Sequence, residues 1–365
     1  MDSLEKGRLS ILHGTPGLGN KILAGLLAKF ASCEEIFHAS PIALQGLLPP
    51  TVAVALQERR RRLDAVQIAA EMDKLGVDIV LLGEERYPPQ LRHIHNPPPI
   101  LYMRGRVELA PTPGLAVVGS RRATQYGRKT AREFAKQLAS RGLTIISGLA
   151  RGIDSQAHQG ALEAEGNTIS VLGSGINIIY PRENAALYRE ISERGLVMSE
   201  FPWNTPPLAN HFPMRNRIIS GLSLGVLVVE AQQKSGALLT VEFALEQGRE
   251  VFAIPGPITS PYSMGTNQMI KEGAKLAAGA EDILEELPGY QPDASAADQL
   301  RQPSLPWHDE AEQLLLRHMD YERRHRDELL RVSGLTCGDL SLALLKLELE
   351  GIVQSLPGNY YVKIG

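Results

Sequence analysis

The sequence has little cysteine and no long apolar run. Its two cysteines, Cys33 and Cys337, lie far apart and cannot complete a four-ligand zinc site by themselves, so we expect two ordinary thiols. No segment approaches the roughly 18 consecutive apolar residues of a transmembrane helix, and the start MDSLEKGRLS does not have the pattern of a signal peptide. These absences predict a soluble, cytoplasmic protein without a membrane partner.

An excess of positive charge is also missing. Lys and Arg number 38 against 41 Asp and Glu, which gives a formal net charge of −3 and argues against a globally basic nucleic-acid-binding surface. Any anion site must therefore be a local rim of positive charge. Apolar residues are abundant, at 43%, and suffice for the packed cores of the two or three domains that 365 residues predict.

The first part of the chain, residues 1–72, is predicted to be a helical domain of the helix-hairpin-helix or SAM-like type, with apolar anchors such as Leu12 and Leu23. Residues 15–19, followed by Lys21, are similar to the hairpin of a helix-hairpin-helix, where glycines let backbone amides approach a phosphate. The pattern is short and common. A plain helical packing module is therefore the favoured interpretation, and DNA contact is the alternative.

Strand-like and helix-like segments alternate between residues 113 and 288. This alternation predicts a Rossmann-like, doubly wound α/β fold with a mostly parallel sheet and helices on both faces. Continuous apolar runs such as 226–229 fit strands that are buried on both faces. The preceding residues 73–112 are interrupted by prolines and predict a connecting segment that adds edge strands.

The end of the chain has a different composition. Residues 289–306 are rich in Pro, Ala, Asp and Gln without a period, which predicts a linker. Residues 307–365 predict three helices and a hairpin, the layout of a winged-helix domain. The third of these helices has several carboxylates but only one cation, Lys346. Because this is poor chemistry for a DNA major groove, a protein-contact module is the favoured interpretation of the domain.

The loops that follow the parallel strands carry the chemistry. Such loops meet at the carboxyl edge of the sheet, where ligands of this fold class bind. All five contain a basic residue, which favours phosphate binding over an ordinary solvated rim. The predicted site consists of Gly119, Ser120, Arg121, Arg122, Ser147, Gly148, Arg151, Gly152, Arg182, Phe212, Arg215, Asn216, Arg217, Lys234, Ser235 and Gly236.

The first of these loops follows the predicted strand at 115–118. Arg121 and Arg122 lie where the helix predicted over 127–140 begins, at the positive end of its dipole. Cations are unfavourable at that end of a helix. Free backbone N–H groups together with two guanidinium groups would, however, make a good phosphate cradle.

The pattern of the loops distinguishes a polymer from a nucleotide cofactor. The first loop lacks G-x-G-x-x-G, no acidic residue follows the second strand to hold a ribose, and no Walker A sequence is present. Cations spread over five loops suit several successive phosphates. Aromatic residues are only 5% of the chain, yet five of them lie among these loops and could stack unpaired bases. For Phe201, core packing is the favoured interpretation. The five residues are Tyr126, Tyr180, Phe201, Trp203 and Phe212.

Candidate catalytic groups are few. Asp154 and His158 lie four residues apart without a nucleophile, and Asp154 is more simply interpreted as a helix N-cap or as a partner that orients Arg151. Glu230 and Glu242 could act as acid and base in a nucleotide or nucleoside-phosphate hydrolase, which is the alternative function. No metal-ligand cluster is evident. We expect a binding protein rather than an enzyme, with no metal and no cofactor.

Several longer motifs resemble the DprA/Smf family of DNA-processing proteins. They occur in the family's order within residues 113–285, and the two flanking domains are similar to variable appendages of the family only in layout. The motifs are AVVGSR at 116–121, SGLARGID at 147–154, YPREN at 180–184, FPMRNRIISGLS at 212–223, VVEA at 228–231, SGALLT at 235–240 and GREVFAIPG at 248–256.

The resemblance implies a non-enzymatic protein that binds single-stranded DNA and helps load RecA onto incoming DNA in natural transformation and recombination. It places DNA contacts on the GSR motif at 119–121, on Arg182 and on the RNR motif at 215–217. It also implies a homodimer formed through the Rossmann-like domain. The dimer contacts would come from the helix after the last strand and its surroundings, from Asn267, Ile270 and Leu276.

Overall fold

The computed structural model describes residues 1–40, 42–233, 235–287, 290, 310–319, 323–349 and 352–363. The described residues up to 290 form one compact unit, and those from 310 onward form a second unit. Apart from Tyr290, the predicted linker at 289–306 lies outside the described residues. Of the helices that the structure describes, none is long and apolar enough to cross a membrane.

The first unit begins with helices, as predicted. In the described part of residues 1–74 these are α1 (Ser3–His13), α2 (Asn20–Lys29), α3 (Cys33–His38), α4 (Pro50–Arg62) and α5 (Ala65–Lys74). The hairpin at 15–19 joins α1 to α2. Gly7 lets α1 pack directly on the start of α5, because a Cβ at this position would lie 2.0 Å from the backbone oxygen of Ala65.

A large sheet follows, and within the described residues it has nine strands. They are β1 (Val77–Leu81), β2 (Ile100–Gly105), β3 (Gly114–Val118), β4 (Thr144–Ser147), β5 (Thr168–Leu172), β6 (Leu196–Ser199), β7 (Gly225–Val228), β8 (Glu250–Ala253) and β9 (Lys275–Leu276). Their order is β1-β2-β6-β5-β4-β3-β7-β8-β9. The β1–β2 and β2–β6 pairings are antiparallel, and the other pairings are parallel. The connecting segment therefore adds two edge strands, and the mostly parallel Rossmann-like sheet is confirmed.

Helices cover both faces of this sheet. They are α6 (Gln125–Ser140), α7 (Ile153–Glu163), α8 (Ala185–Arg194), α9 (His211–Gly221), α10 (Ala237–Glu246), α11 (Met264–Lys271) and α12 (Ala280–Leu284). Successive side chains of a strand point to opposite faces. In β3, Leu115 and Val117 pack in the cluster that contains α6 and α7, whereas Ala116 and Val118 pack in the cluster that contains α9 and α10. Burial on both faces explains the continuous apolar strands.

The order of the strands creates a crevice beside β3. From β3 the chain proceeds through β4 and β5 to β6 on one side, and it then returns to β7 and β8 on the other. The helices α6 and α10, which follow β3 and β7, pack on opposite faces of the sheet. The loops that lead to them diverge, which leaves a crevice at the carboxyl edge.

The amino-terminal helices share a hydrophobic core with the sheet. Their buried leucines belong to one cluster with Leu172 of β5 and with Trp203 in the loop after β6. The indole N–H of Trp203 also donates to a carboxylate oxygen of Glu71 in α5, at 3.2 Å. The predicted boundary at residue 72 therefore marks a change of secondary structure within one packed unit.

The second unit has the predicted winged-helix layout. Its described elements are α13 (Glu310–Arg317), β10 (Arg324–His325), α14 (Arg326–Ser333), α15 (Cys337–Leu349), β11 (Val353–Leu356) and β12 (Tyr360–Lys363), and the strands pair antiparallel in the order β10-β12-β11. Leu340, Leu344 and Leu347 of α15 are buried in the core of this unit, as their helical spacing predicts.

Candidate nucleic-acid interface

A cavity of about 660 Å³ opens at the carboxyl edge of the sheet, beside the loops after β3 and β7. We call it the first cavity. The structure brings nine of the predicted site residues together around it, from three separate segments of the chain: Gly119, Ser120, Arg121, Arg122, Phe212, Arg215, Asn216, Ser235 and Gly236. Lys234, which the sequence also places here, lies outside the described residues.

The amino end of α6 is occupied by groups of the chain itself. Thr124 is the N-cap, and its hydroxyl accepts the N–H of Gly127 at 3.1 Å. The buried carboxylate of Glu230 accepts the N–H of Thr124 at 2.9 Å and its hydroxyl at 2.5 Å. The cap and the carboxylate therefore occupy two of the N–H groups at this end of the helix, those of Gly127 and Thr124. The phosphate cradle of two arginines and free helical N–H groups stays a prediction.

Arg121 and Arg122 lie in an exposed turn between β3 and α6. The hydroxyl of Ser120 accepts the N–H of Arg122 at 3.1 Å, which helps to fix this turn. The guanidinium carbon of Arg121 lies 5.1 Å from the ring centroid of Phe212, and the ring of Tyr180 lies 5.6 Å from that of Phe212. One cation and two aromatic rings thus form a row along the wall of the first cavity.

The other aromatic candidates do not line this cavity. Phe201 and Trp203 are each 7% exposed. Phe201 stacks on His211 with the ring centroids 4.2 Å apart, which confirms its predicted core packing. The prediction that Trp203 could stack a base is wrong, because its ring is buried against the amino-terminal helices. Tyr126 is exposed but is not among the residues that line the cavity.

Arg215 lines the first cavity although its residue is only 3% exposed. Its Nη1 donates to the backbone oxygens of Gly148, at 2.8 Å, and of Val171. A Cβ at Gly148 would lie 2.1 Å from that nitrogen, so the guanidinium fits only because this position is glycine. Burial lowers the pKa of Arg215 to about 10, although the negative charge of Asp154 acts to raise this pKa. Arg215 therefore joins the second loop to β5 and adds positive charge at the cavity wall.

The second loop satisfies its own N–H groups. Asp154 Oδ2 accepts the N–H of Gly148 at 3.1 Å and that of Ala150 at 3.4 Å. Burial raises the pKa of Asp154, and the positive charge of Arg215 opposes this shift. Ser147 is buried, and its hydroxyl donates to a backbone oxygen of β3 at 2.7 Å. Ser147 and Gly148 thus hold the loop on the sheet and do not line the cavity.

Gly152 lets the second loop lie directly against the first. Its φ is +76°, and a Cβ here would lie 2.3 Å from the backbone oxygen of Ser120. Arg151 and Arg182 are exposed outside the lining of the first cavity. Arg151 makes two hydrogen bonds to the carboxylate of Glu183, at 2.5 and 2.7 Å, so it is not oriented by the aspartate of its own loop.

The RNR motif is divided by the helix that carries it. Arg215 and Asn216 face the first cavity, whereas Arg217 lines a second cavity of about 780 Å³ against another face of α9. The side chain of Arg217 is 7% exposed, and its Nη2 donates to Glu200 Oε2 at 2.5 Å. Burial raises the pKa of Glu200, and Arg217 opposes this shift. The structure therefore does not bring Arg217 to the arginines of the first loop.

Of the candidate catalytic groups, Asp154 lines the first cavity, whereas Glu230, Glu242 and His158 are not among its lining residues. Glu230 is buried beneath the first loop, and Glu242 is exposed on α10 outside the cavity lining. His158 is buried, with Nδ1 2.7 Å from the hydroxyl of Thr168, and burial lowers its pKa to about 3. Among the residues that the structure describes, no group of three or more His, Cys, Asp or Glu could hold a metal ion.

Several residues of the first cavity were not found from the sequence. Gln232, Thr240 and Tyr262 line it. Glu230 was considered from the sequence only as an acid or base, and its support of the first loop, across 106 residues of sequence, was not predicted. The VVEA and SGALLT motifs contain Glu230 and Thr240, and this is the one sequence signal that marks them. No local pattern marks Tyr262.

The predicted dimer residues differ in their exposure. The side-chain amide of Asn267 exchanges two hydrogen bonds with the backbone of Gly256, at 3.2 and 2.9 Å. Ile270 is half-buried and packs against the core beneath α11. Leu276 in β9 is 48% exposed and presents apolar surface to solvent.

Comparison with protein families identifies two matching regions. Residues 78–288 match the family model described as DNA recombination-mediator protein A, and residues 291–359 match the one described as DprA winged helix domain. The chain is 46% identical over 291 residues to Protein Smf of Escherichia coli (strain K12), a match that covers 77% of this chain and 76% of the relative.

Solved structures with the same fold are also similar in sequence. DNA processing protein A from Streptococcus pneumoniae aligns with a TM-score of 0.67 at 35% identity, over 80% of this chain and 99% of that chain. DNA processing protein A from Helicobacter pylori, described with its single-stranded DNA binding mode, aligns with a TM-score of 0.52 at 30% identity, over 56% of this chain and 94% of that chain. With more than half of its length matched by the first family model, the chain belongs to the DprA/Smf family of DNA-processing proteins.

Proposed function

We propose that the chain binds single-stranded DNA at the first cavity. The observation that carries this proposal is the row formed by Arg121, Phe212 and Tyr180, in which a cation stands beside two aromatic rings. Proteins that bind single strands combine positive charge for the backbone with rings on which bases stack. The single-stranded DNA binding mode described for the Helicobacter pylori relative supports the same function.

The occupied N–H groups of two loops favour a polymer over a nucleotide cofactor. In dinucleotide-binding Rossmann folds, the pyrophosphate lies on free N–H groups at the end of the first strand. Here Glu230 and Asp154 accept N–H groups of the first and second loops. Phosphate contact is therefore left mainly to exposed side chains such as Arg121 and Arg122, which suit successive phosphates of a strand.

The remaining predicted DNA contacts have different roles in the same proposal. Asn216, Ser235 and Gly236 line the first cavity and can position the strand. Arg151 and Arg182 are exposed, and each is close in sequence to residues that line the first cavity. They would contact phosphates of the strand that lie outside the cavity. Lys234 stays a prediction from the sequence, as a further cation before α10.

Replacement of Arg121 tests the proposal. Arg121→Ala should weaken binding to mixed-sequence single-stranded oligonucleotides, and it should lower the slope of log affinity against log salt by about one phosphate contact. Arg189→Ala, at an exposed arginine of α8 outside the cavity lining, is the matched control. Wild-type affinity together with a wild-type salt slope in Arg121→Ala would rule out this site.

We further propose that the protein acts in the cytoplasm without catalysis and helps load RecA onto incoming single-stranded DNA in natural transformation. Membership of the family supports this role. The wild-type chain should speed RecA filament formation on DNA already covered by a single-strand-binding protein, and Arg121→Ala should do so less. Nucleotide turnover that is lost in Glu242→Gln would instead support the hydrolase alternative.

A homodimer through the Rossmann-like domain is part of the same proposal. Leu276 is exposed on β9, and Met264 and Ile258 on the preceding segment are exposed as well. Asn267 and Ile270 would support this surface from within. Leu276→Arg should shift the wild-type dimer to monomer in analytical ultracentrifugation, while Leu245→Arg, at an exposed leucine of α10, should not.

A further inference from the structure

The second cavity lies between the amino-terminal helices and the Rossmann-like domain. It is lined by the start of α2, by residues 93–97, by Met214 and Arg217 of α9 and by the carboxyl-terminal half of α10. Lys21, Arg217 and two histidines line it, against a single carboxylate among the lining residues, that of Glu246. Met214 contributes an apolar wall. This mixture of cationic and apolar groups suits a phosphate with an attached base.

The amino end of α2 opens onto this cavity. Asn20 and Lys21, the first two residues of the ten-residue helix, are both in the lining. The N-cap is Gly19, which offers no side chain to bind the first N–H groups. A Cβ at Gly19 would meet nothing within 4 Å, so the approach to this helix end is open. Uncapped N–H groups at the positive end of a helix favour an anion, and Lys21 is unfavourable there without one.

A buried cation with an unused donor belongs to the wall of the same cavity. Arg217 lines the cavity, its side chain is 93% buried, and its Nη1 has no hydrogen-bond partner in the described part of the chain. Gln247, also in the lining, has an unpartnered Oε1. Unsatisfied buried polar atoms are costly, so these two atoms show that hydrogen bonding in the wall of this cavity is incomplete among the described residues.

The two cavities are neighbours along one pair of helices. On α9, Arg215 faces the first cavity and Met214 faces the second. On α10, Thr240 lines the first cavity and Glu246 the second, and six residues of helix separate them by about 9 Å. One extended strand can reach from one cavity to the other.

We propose that the second cavity binds a further nucleotide of the same DNA strand, with its phosphate at the amino end of α2 beside Lys21. The base would lie against Met214 and Phe243. This inference rests on the proposed function of the first cavity. It gives the hairpin at 15–19 a role, since that hairpin presents the uncapped end of α2 to the strand.

Oligonucleotides of two lengths test the proposal by fluorescence anisotropy on the full chain. Site sizes of single-strand-binding folds suggest one of about 4 nucleotides and one of about 16. Lys21→Ala should weaken binding of the longer strand about threefold to tenfold and lower its salt slope by about one, with the shorter strand unaffected. Lys29→Ala, at an exposed lysine of the same helix outside the lining, should match wild type. Glu246→Gln should strengthen binding of the longer strand.

Three outcomes would overturn the proposed nucleotide site in the second cavity. They can be distinguished from failure of the proposed DNA site in the first cavity. Wild-type affinity of Lys21→Ala for both strands would do so, provided that Arg121→Ala binds weakly. Equal weakening for both lengths would place the effect of Lys21 at the first cavity or in the fold. Calorimetric binding of dAMP alone that is lost in Lys21→Ala, with strand binding unchanged, would assign the cavity to a free nucleotide. If Arg121→Ala binds both lengths normally, the proposed function itself fails.

Discussion

Individual residues around the first cavity fall into two groups. Arg121 and Arg122 are exposed in the turn after β3. Arg215, Asp154 and Glu230 are buried and hold the loops through hydrogen bonds to backbone atoms. Replacing an exposed residue should change DNA affinity alone, whereas replacing a buried one should change both affinity and stability.

The aromatic ring of Phe212 provides a prediction that separates stacking from charge. Phe212→Leu should weaken single-strand binding by about 1–3 kcal/mol, the usual range for loss of one stacked base, and it should leave the salt slope unchanged. Affinities measured over a series of salt concentrations give both quantities. Tyr126→Leu is the matched control, because Tyr126 is exposed outside the cavity lining. A lower salt slope in Phe212→Leu would show that the ring acts by positioning Arg121 instead.

His158 should make the fold sensitive to acid. Burial lowers its pKa from 6.5 to about 3, so between these values the unfolded chain binds a proton that the folded chain does not. The free energy of unfolding must therefore fall as the pH falls below 6.5, by about 1.4 kcal/mol per pH unit for each such group. Burial lowers the pKa of His13 as well, to about 4, and acts in the same direction.

Replacement of His158 measures this contribution. In His158→Gln, the loss of unfolding free energy between pH 7 and pH 5 should be smaller than in wild type by about 2 kcal/mol. Urea denaturation at both pH values gives the difference, and the change between pH values is independent of any constant loss of stability in the variant. An unchanged pH dependence would contradict neutral burial of His158.

Secondary-structure elements were largely predictable because each has a local cause. The apolar runs at 115–118 and 226–229 coincide with β3 and β7 to within one residue, since a strand buried on both faces needs no polar positions. The helix predicted over 127–140 is α6, and the helical spacing of Ala131, Phe134, Ala135 and Leu138 accounts for its buried face. Gly142, whose φ is +87°, follows the end of that helix.

The parts of the site that were not predicted depend on tertiary contacts. The pairing of Glu230 with Thr124 joins residues far apart in sequence, and neither residue type requires the other. The burial of Trp203 depends on the amino-terminal helices. The separation of Arg215 from Arg217 was predictable in principle, because the side chains of residues i and i+2 of a helix point in directions that differ by about 200°.

The contact between the first and second loops leads to a prediction about glycine. Gly152→Ala would place a Cβ on a residue with positive φ and against the backbone of Ser120. Because both effects strain the contact between the two loops, the substitution should destabilise the protein and weaken DNA binding. Gly142→Ala is a matched control, since Gly142 also has a positive φ but has nothing within 4 Å of a Cβ. It should cost about 1 kcal/mol of stability and leave DNA affinity unchanged. Equal DNA affinity of the two variants, measured with folded protein, would show that the loops need no close contact.

At the scale of the whole molecule, the charge and the shape of the site point to the same ligand. The chain carries a net charge of −3, so its overall field does not attract DNA, and binding must depend on local cations. The rings of Tyr180 and Phe212 can stack only with bases that are free of a duplex. If the proposed function is correct, the two rings should give a preference for single-stranded over double-stranded DNA, which a gel shift with both forms would measure.

The division of the molecule into two units predicts which truncations preserve function. Among the residues that the structure describes, all those that line the first cavity belong to the first unit, so residues 1–290 alone should bind single-stranded DNA with the affinity of the full chain. Residues 75–290 should behave differently, because removal of α1 to α5 exposes apolar side chains such as Leu172 and Trp203. This shorter piece should unfold at lower urea concentration and aggregate. Unfolding midpoints of the two pieces, measured by circular dichroism, compare them directly. Equal midpoints would contradict a shared core, and weak DNA binding by residues 1–290 would instead give the winged-helix unit a part in the site.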